Sequence, residues 1–478
     1  MSTAPNLSFR AVPIAAITAG ALWLIPILHA VSPVPWTAHD FTRLGQLLVI
    51  ALAALTWAHG PTPALPRSAV ERFALLAFAL CVAVSSLLSA SPMAAIREVL
   101  LFAALLVVAD ASARSVFRQG SDWTLRVIAF GTLGYGVLVI AMAVVVLLSG
   151  QTIAGWELLT GFDNPRFLNH AQTVAVPLAA AVSLQRGASR GMRAVGVAAT
   201  LASGALLYIC EGRATVLGLL VGVVAAMLLL RGASARRYAV ALIVPLVLGA
   251  LAMGLLWQLA PQTVGGVGGD GYGKLHSRDY LLGIALHMTE GAPWFGVGPM
   301  HYAHVINTKA AHPHNVYAQW FAEIGIPATL LAAFLCVRVI GRWLRTLRSL
   351  PVERAPLAAA LLTALIAMLV DGLFSGNFVM PVSQLWVALL IGLLMAVHRQ
   401  HDSRADGARS GAAAPEDAPS VTAGRIGRAV NLVVVAAMLV LVAVSFDEAL
   451  HSVSPQLPGS PSTDAGRMAP RYWSYGWF

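Results

Sequence analysis

A chain of 478 residues that is 58% hydrophobic and only 11% charged carries more apolar material than a soluble domain of that length can bury, so the composition describes a polytopic membrane protein. The formal net charge is +10, yet the arginines stand at the ends of apolar runs instead of forming a basic stripe, which argues against a nucleic-acid partner. Cys81, Cys210 and Cys336 all lie inside apolar runs, which argues against a disulfide framework.

A membrane span needs about 20 apolar residues at a rise of ~1.5 Å each. In chain order, runs at 11–30, 42–58, 70–89, 94–110, 123–149, 171–186, 192–210, 213–230, 238–258, 316–340, 356–374, 381–398 and 429–446 predict an all-α protein of 12–13 transmembrane helices. No small-residue cleavage site follows the first run, so it reads as a span and not as a removed signal. The runs 94–110 and 171–186 are the shortest. The predicted organisation is therefore about nine spans over 1–258, one long loop over 259–315 with a short amphipathic helix in it, and further spans over 316–398. Segment 399–428, rich in Ala, Gly, Ser, Asp and Arg, reads as a disordered linker, and 429–478 as a last span and a tail. The tail ends "RYWSYGWF", whose Trp and Tyr suit the membrane–water interface.

Alternate loops are basic: "PRSAVER", "SARSVFRQGSDWTLR", "QRGASRGMR", "RGASARR", "RVIGRWLRTLRSLPVER" and "HRQHDSRADGAR". With the N-terminus, Arg425 and Arg428 they hold 22 of the 31 Lys and Arg residues, which puts them in the cytoplasm and the 259–315 loop outside, in a bacterium the periplasm. The nine others are Arg43, Arg97, Arg166, Arg213, Lys274, Arg278, Lys309, Arg467 and Arg471. Each works against the positive-inside bias, so each invites a functional reading.

Along the chain, Arg97–Glu98 reads first, as a structural ion pair. Arg166 in "GFDNPRFLNHAQ" leads into a span with Asn169 and His170 beside it, and reads as loop polarity or as a substrate contact. Arg213 in "YICEGRATVLGLL" follows a turn so short that it and Glu211 sit at the membrane surface. It is either half of a Glu–Arg pair or an anion ligand, since the guanidinium fork fits phosphate. Arg278 in "KLHSRDYLLGIALHMTEGAPWFGVG" falls in the first turn of a helix whose apolar face is Leu281, Ile284, Ala285 and Met288. Free N–H groups there favour an anion, while a lone cation opposes the helix dipole; solvation is the alternative reading.

The stretch "KAAHPHNVYAQWFAEIGIPATLLAAFL" is the densest. Asn315 can cap the helix that follows, and Asn315, Gln319 and Glu323 share one of its faces. Glu323 lies about 12 Å along that helix at 1.5 Å per residue, so it needs a wet cavity or a partner. Gly325 and Pro327 bend the helix below it, and His312 and His314 lie on the rim above. Three readings of His314 compete: a zinc ligand with His312, His301, His304 and Asp279; a polar cap; or a base. No local spacing matches a zinc motif, and histidine suits taking a proton from a hydroxyl.

Arg278, the turn "PWFGVG", His314-Asn315 and Glu323-x-Gly325, with Arg213 earlier, resemble the signature region of the O-antigen ligase/polymerase family. The resemblance implies a polytopic glycosyltransferase acting on undecaprenyl-pyrophosphate-linked sugars at the outer face of the bacterial inner membrane. Ligases, which move O-antigen onto lipid A–core, resemble the chain best in length and loop size. Polymerases and protein O-oligosaccharyltransferases share the region. On this reading His314, Arg213 and Arg278 are catalytic, and Arg166, His312, Asn315, Gln319, Glu323 and Asn169 bind substrate. The partners are the lipid-linked donor, lipid A–core and membrane lipids, with no nucleic acid; no metal or cofactor is expected, and one direct displacement inverts the anomeric centre. The competing class is a lipid-linked glycan transporter, which would carry more ionisable groups through its spans.

Overall fold

The computed structural model describes residues 12–34, 36–58, 68–150, 153–154, 158–230, 232–259, 264–265, 276–307, 309–409, 421–451, 471–474 and 476. Among them are fourteen α-helices: α1 (Ile14–Val31), α2 (Ala38–Ala58), α3 (Ala69–Leu88), α4 (Pro92–Gln119), α5 (Asp122–Ser149), α6 (Pro165–Ser183) and α7 (Arg190–Ile209). There follow α8 (Arg213–Leu230), α9 (Ala233–Leu259), α10 (His276–Gly291), α11 (Val316–Ser349), α12 (Ala355–Asp371), α13 (Pro381–Arg409) and α14 (Val421–His451). All but α6 and α10 are long and apolar enough to cross a membrane, twelve in total, so the chain is an all-α multi-pass membrane protein. A two-residue parallel bridge, Ile153 with Val264 and Ala154 with Gly265, ties the loop after α5 to the loop after α9.

The helix that the sequence reads as one of its two shortest spans is the central post. α6 is buried on nearly every side and packs against α5, α7, α12 and α13. Its start is set by Asn164, whose side chain accepts from the Arg166 N–H at 2.9 Å, and by Pro165 in the first turn. That start is earlier than the apolar run suggests, because the first turns carry Arg166, Asn169 and His170. Nearby, Gly218 and Gly222 of α8 lie against the backbone of Ala367 and Thr363 of α12, the small-residue approach that packs helices in lipid.

α11 is two helices. At Gly325 the backbone takes φ 78°, ψ 171°, a conformation open essentially to glycine. Pro327 has no N–H for the Glu323 carbonyl, and the Ile326 N–H turns to Pro293 O at 2.8 Å instead of Ala322 O. The freed carbonyls of Ala322 and Glu323 accept from Val297 and Gly298, each at 2.9 Å. The "PWFGVG" turn therefore fills the break and completes its hydrogen bonding. α10 packs on the short half of α11 through Leu281, Ile284, Ala285 and Met288, the face expected from the sequence.

Two expectations need correction. The described part of the aromatic tail is not laid on the protein surface: Arg471, Tyr472 and Ser474 are buried against the helices. Arg43 grips them, donating to Tyr472 O at 2.9 Å and Arg471 O at 3.0 Å. Arg97 and Glu98 do not pair with each other; Arg97 meets Glu448 and Glu98 meets Arg471. Helix also extends into segment 399–428 from both sides, to Arg409 and from Val421. Residues 410–420, like Lys274 and Arg467, lie outside the described residues.

Candidate active site at the head of the broken helix

The short half of α11 begins as the sequence predicts. Asn315 caps it, its side chain accepting from Tyr317 N–H at 3.1 Å and Ala318 N–H at 3.0 Å. The Val316 N–H donates to Gly372 O at 2.9 Å, which fixes this helix start to the end of α12. His314 precedes the cap with φ 53°, a left-handed conformation that a side chain makes costly. Its N–H donates to His312 Nδ1 at 3.3 Å, and the two imidazoles meet edge to face with centroids 4.3 Å apart. The His312 ring lies over Gly376, where a Cβ would collide with it.

Behind this pair stands a third histidine. His170 Nδ1 donates to Asp371 Oδ2 at 2.9 Å, and Ser375 Oγ donates to the same oxygen at 2.8 Å. Both His170 and Asp371 are buried. The carboxylate thus fixes the ring through an N–H at Nδ1 and turns Nε2 away from it. The positive charge of Arg166 bears on both His312 and His314, and that of Arg278 on His314. Burial first, then Arg166, Arg278 and His170, hold the His314 pKa down to about 3. Burial and its charged neighbours also hold His312 well below the usual value. Both are therefore neutral imidazoles near neutral pH.

Glu323 finds a partner and not a wet cavity. Its carboxylate accepts from Tyr302 N–H at 3.0 Å, Gln319 Nε2 at 3.1 Å, and Arg471 Nη2 at 2.8 Å to each oxygen. Glu323 and Gln319 are thus occupied within the protein and make no bond to His314. Asn169 is structural too: its Nδ2 donates to Cys210 O at 3.4 Å, and its carbonyl accepts from Thr215 Oγ1 at 3.2 Å. These bonds tie α6 to the turn before α8. Arg213 begins α8 exposed to solvent, 3.5 Å from Glu211, whose φ is 47°. It sits beside Asn169's turn but makes no contact with the histidines.

Of the nine residues named from the sequence, four converge: His314, His312, Arg166 and Arg278. Asn315, Gln319, Glu323 and Asn169 hold the backbone that carries them. The hypothetical zinc set is dispersed, since His301 is engaged by Ser91 N–H at 2.9 Å and Pro299 O at 2.8 Å. Among the described residues no three His, Cys, Asp or Glu side chains are placed to hold a metal ion. Sequence reasoning named His170 and Arg471 as polar residues without giving either a place in the site, and it missed Asp371. His170 stands one helical turn from Arg166, and Asp371 is a lone acid ending an apolar run, so both left a signal.

The fold and this cluster define a multi-pass helical membrane protein with a histidine–arginine site at one end of its bundle. Residues 198–333 match the family model described as O-antigen ligase, and the match supports assigning the chain to the O-antigen ligase family. That family implies a glycosyltransferase-like ligase or polymerase. A search of curated proteins finds no match. The matched segment includes Arg213, Arg278, His312, His314 and Glu323, while Arg166, His170, Asp371 and Arg471 come to the same end from outside it.

Proposed function

We propose that the protein is an O-antigen ligase, transferring O-antigen from undecaprenyl pyrophosphate to a sugar hydroxyl of lipid A–core at the periplasmic face of the bacterial inner membrane. The observation that carries this reading is the neutral, half-buried His314 under the charge of Arg166 and Arg278 at the head of a broken helix. The donor's pyrophosphate lies at headgroup level, where Arg166 and Arg278 bind it and stabilise the charge that grows as it leaves. Arg213, exposed at the same end, meets the anionic donor first.

The acceptor hydroxyl attacks the anomeric carbon as the bond to pyrophosphate breaks, and its proton passes to His314. One displacement inverts the anomeric centre. His170, its ring fixed through Nδ1 by Asp371, orients the acceptor sugar by a hydrogen bond at Nε2. Arginines supply the electrostatic role that a divalent ion fills in other phosphate chemistry, so the reaction needs no metal.

The test uses purified protein with lipid-linked O-antigen, with and without lipid A–core, in EDTA. Transfer onto core in EDTA is expected, and Arg278→Ala or His314→Ala should lower it by about 100-fold or more. Chain growth without core would make the protein a polymerase. Movement of donor across a vesicle without a new glycosidic bond would make it a transporter. Undiminished transfer by His314→Ala would remove the base from this mechanism, and rescue of a silent reaction by a divalent ion would remove metal independence.

A further inference from the structure

The short half of α11 carries His314 at its head and Glu323 in its last turn, and at Gly325 it loses the support of its own continuation. Its position therefore depends on side attachments. One is at the head, through Gly372 O. Another is at the foot, where the Glu323 carbonyl accepts from Gly298 N–H at 2.9 Å and Ser85 Oγ at 3.0 Å. The Val297 N–H on Ala322 O at 2.9 Å, the Tyr317 hydroxyl on Leu369 O at 2.8 Å and the packing of α10 add to these, and the Glu323 side chain supplies the ionic attachment. Arg471 Nη2 reaches both Glu323 oxygens at 2.8 Å and Glu98 Oε1 of α4 at 3.1 Å. Without that guanidinium two buried carboxylates from different helices would face each other.

The segment that delivers Arg471 is fastened at each residue. The Ser474 N–H donates to Asp40 Oδ1 at 2.7 Å, and the Tyr472 hydroxyl meets Ser445 Oγ at 2.6 Å. Arg43 and Arg97 cover the Tyr472 ring, at 5.0 and 4.9 Å from its centroid. Gln46 and Gln384 brace Arg43 in turn, accepting from its Nη1 at 2.5 and 2.7 Å. This scaffold fixes one guanidinium beneath the reacting residues, close enough for its charge to act on His312.

We propose that Arg471 is a positioning residue for glycosyl transfer: by clamping Glu323 against Glu98 it sets the short half of α11, and so His314, in its reacting place. The role in transfer rests on the ligase reading; the clamp itself does not. Two measurements on full-length protein separate them. In Arg471→Gln, amide hydrogen exchange over 316–324 should rise about tenfold while that of α12 stays unchanged. In the same variant kcat should fall about tenfold or more, with KM for the donor within about threefold, and Arg471→Lys should recover part of kcat. If Arg471→Gln does not fold, the triple variant Arg471→Gln/Glu323→Gln/Glu98→Gln removes the buried charges together, and it should remain slow. Unchanged exchange over 316–324, an equal rise across the whole bundle, or full kcat in the triple variant would each overturn the proposal. A wild-type protein that forms no glycosidic bond would fail the ligase reading alone, and the exchange result would still decide the clamp.

Discussion

His314 bears two costs at one residue. Its left-handed backbone costs about 1–2 kcal/mol for a residue with a side chain, and burial beside two arginines holds its pKa to about 3. Strain and a displaced pKa at the same place mark a site kept for chemistry. A pyrophosphate bound between the arginines would cancel much of their field, so the base would strengthen only when donor is present. Histidine NMR should show His314 neutral at pH 5 without donor, with its pKa raised by a pyrophosphate lipid; a titration indifferent to that lipid would sink the coupling. The stability consequence has a definite sign. The folded pKa lies below the ordinary 6.5, so the unfolded chain takes the proton more readily. The contribution is whole above pH 6.5 and is lost as pH falls from there toward about 3. The apparent Tm in detergent should therefore fall less between pH 7 and pH 4 in His314→Asn than in the wild type.

At the scale of elements, the break in α11 joins two sequence motifs that look independent. Gly325 and Pro327 announce a bend through their residue types alone, and the face of α10 announces itself through its spacing. What no local pattern carries is that "PWFGVG" supplies the N–H groups the break needs, because that pairing is made between loops and helices distant in sequence. The same holds for His170 and Asp371, 201 residues apart: each is visible as a polar residue beside an apolar run, but their meeting depends on α6 being the central post. Gly325→Ala tests the break. A Cβ there would stand 2.6 Å from Trp294 O, on a backbone that only glycine adopts easily. The substitution should lower stability by roughly 2 kcal/mol or more, seen as a lower Tm and lower folded yield. Gly341→Ala in the long half meets nothing within 4 Å and should be neutral or stabilising by up to about 1 kcal/mol. Equal effects at the two glycines would mean that the break is dispensable.

Across the whole molecule, the charges sort into two populations. The arginines of the basic loops pair near the far ends of the helices: Glu71 with Arg338 and Arg342, Asp110 with Arg114 and Arg399, and Arg186 with Glu353. Of the described residues that work against the positive-inside bias, Arg166 and Arg278 reach the site, Arg43, Arg97 and Arg471 hold the tail, and Arg213 and Lys309 stay exposed at the surface. Counting charges picked out this exceptional group, and twelve of the thirteen runs read as spans were legible from hydropathy, α6 being the exception. The tail's burial was not legible, since "RYWSYGWF" has the same composition whether it lies on a membrane or against the helices. Sidedness is the remaining link between the fold and the proposed reaction. Arg338 lies 13 residues beyond the break at Gly325, roughly 20 Å of unbroken helix at 1.5 Å per residue, so the proposed reaction requires the two charge populations to face opposite sides of a bilayer. Cysteines placed at exposed positions report each face directly, once Cys81, Cys210 and Cys336 are replaced by alanine. In intact cells a membrane-impermeant maleimide should label Lys309→Cys, at the His314 end, and should label Arg186→Cys only after permeabilisation. The reverse pattern would put His314 in the cytoplasm, where a transfer onto lipid A–core at the periplasmic face could not occur.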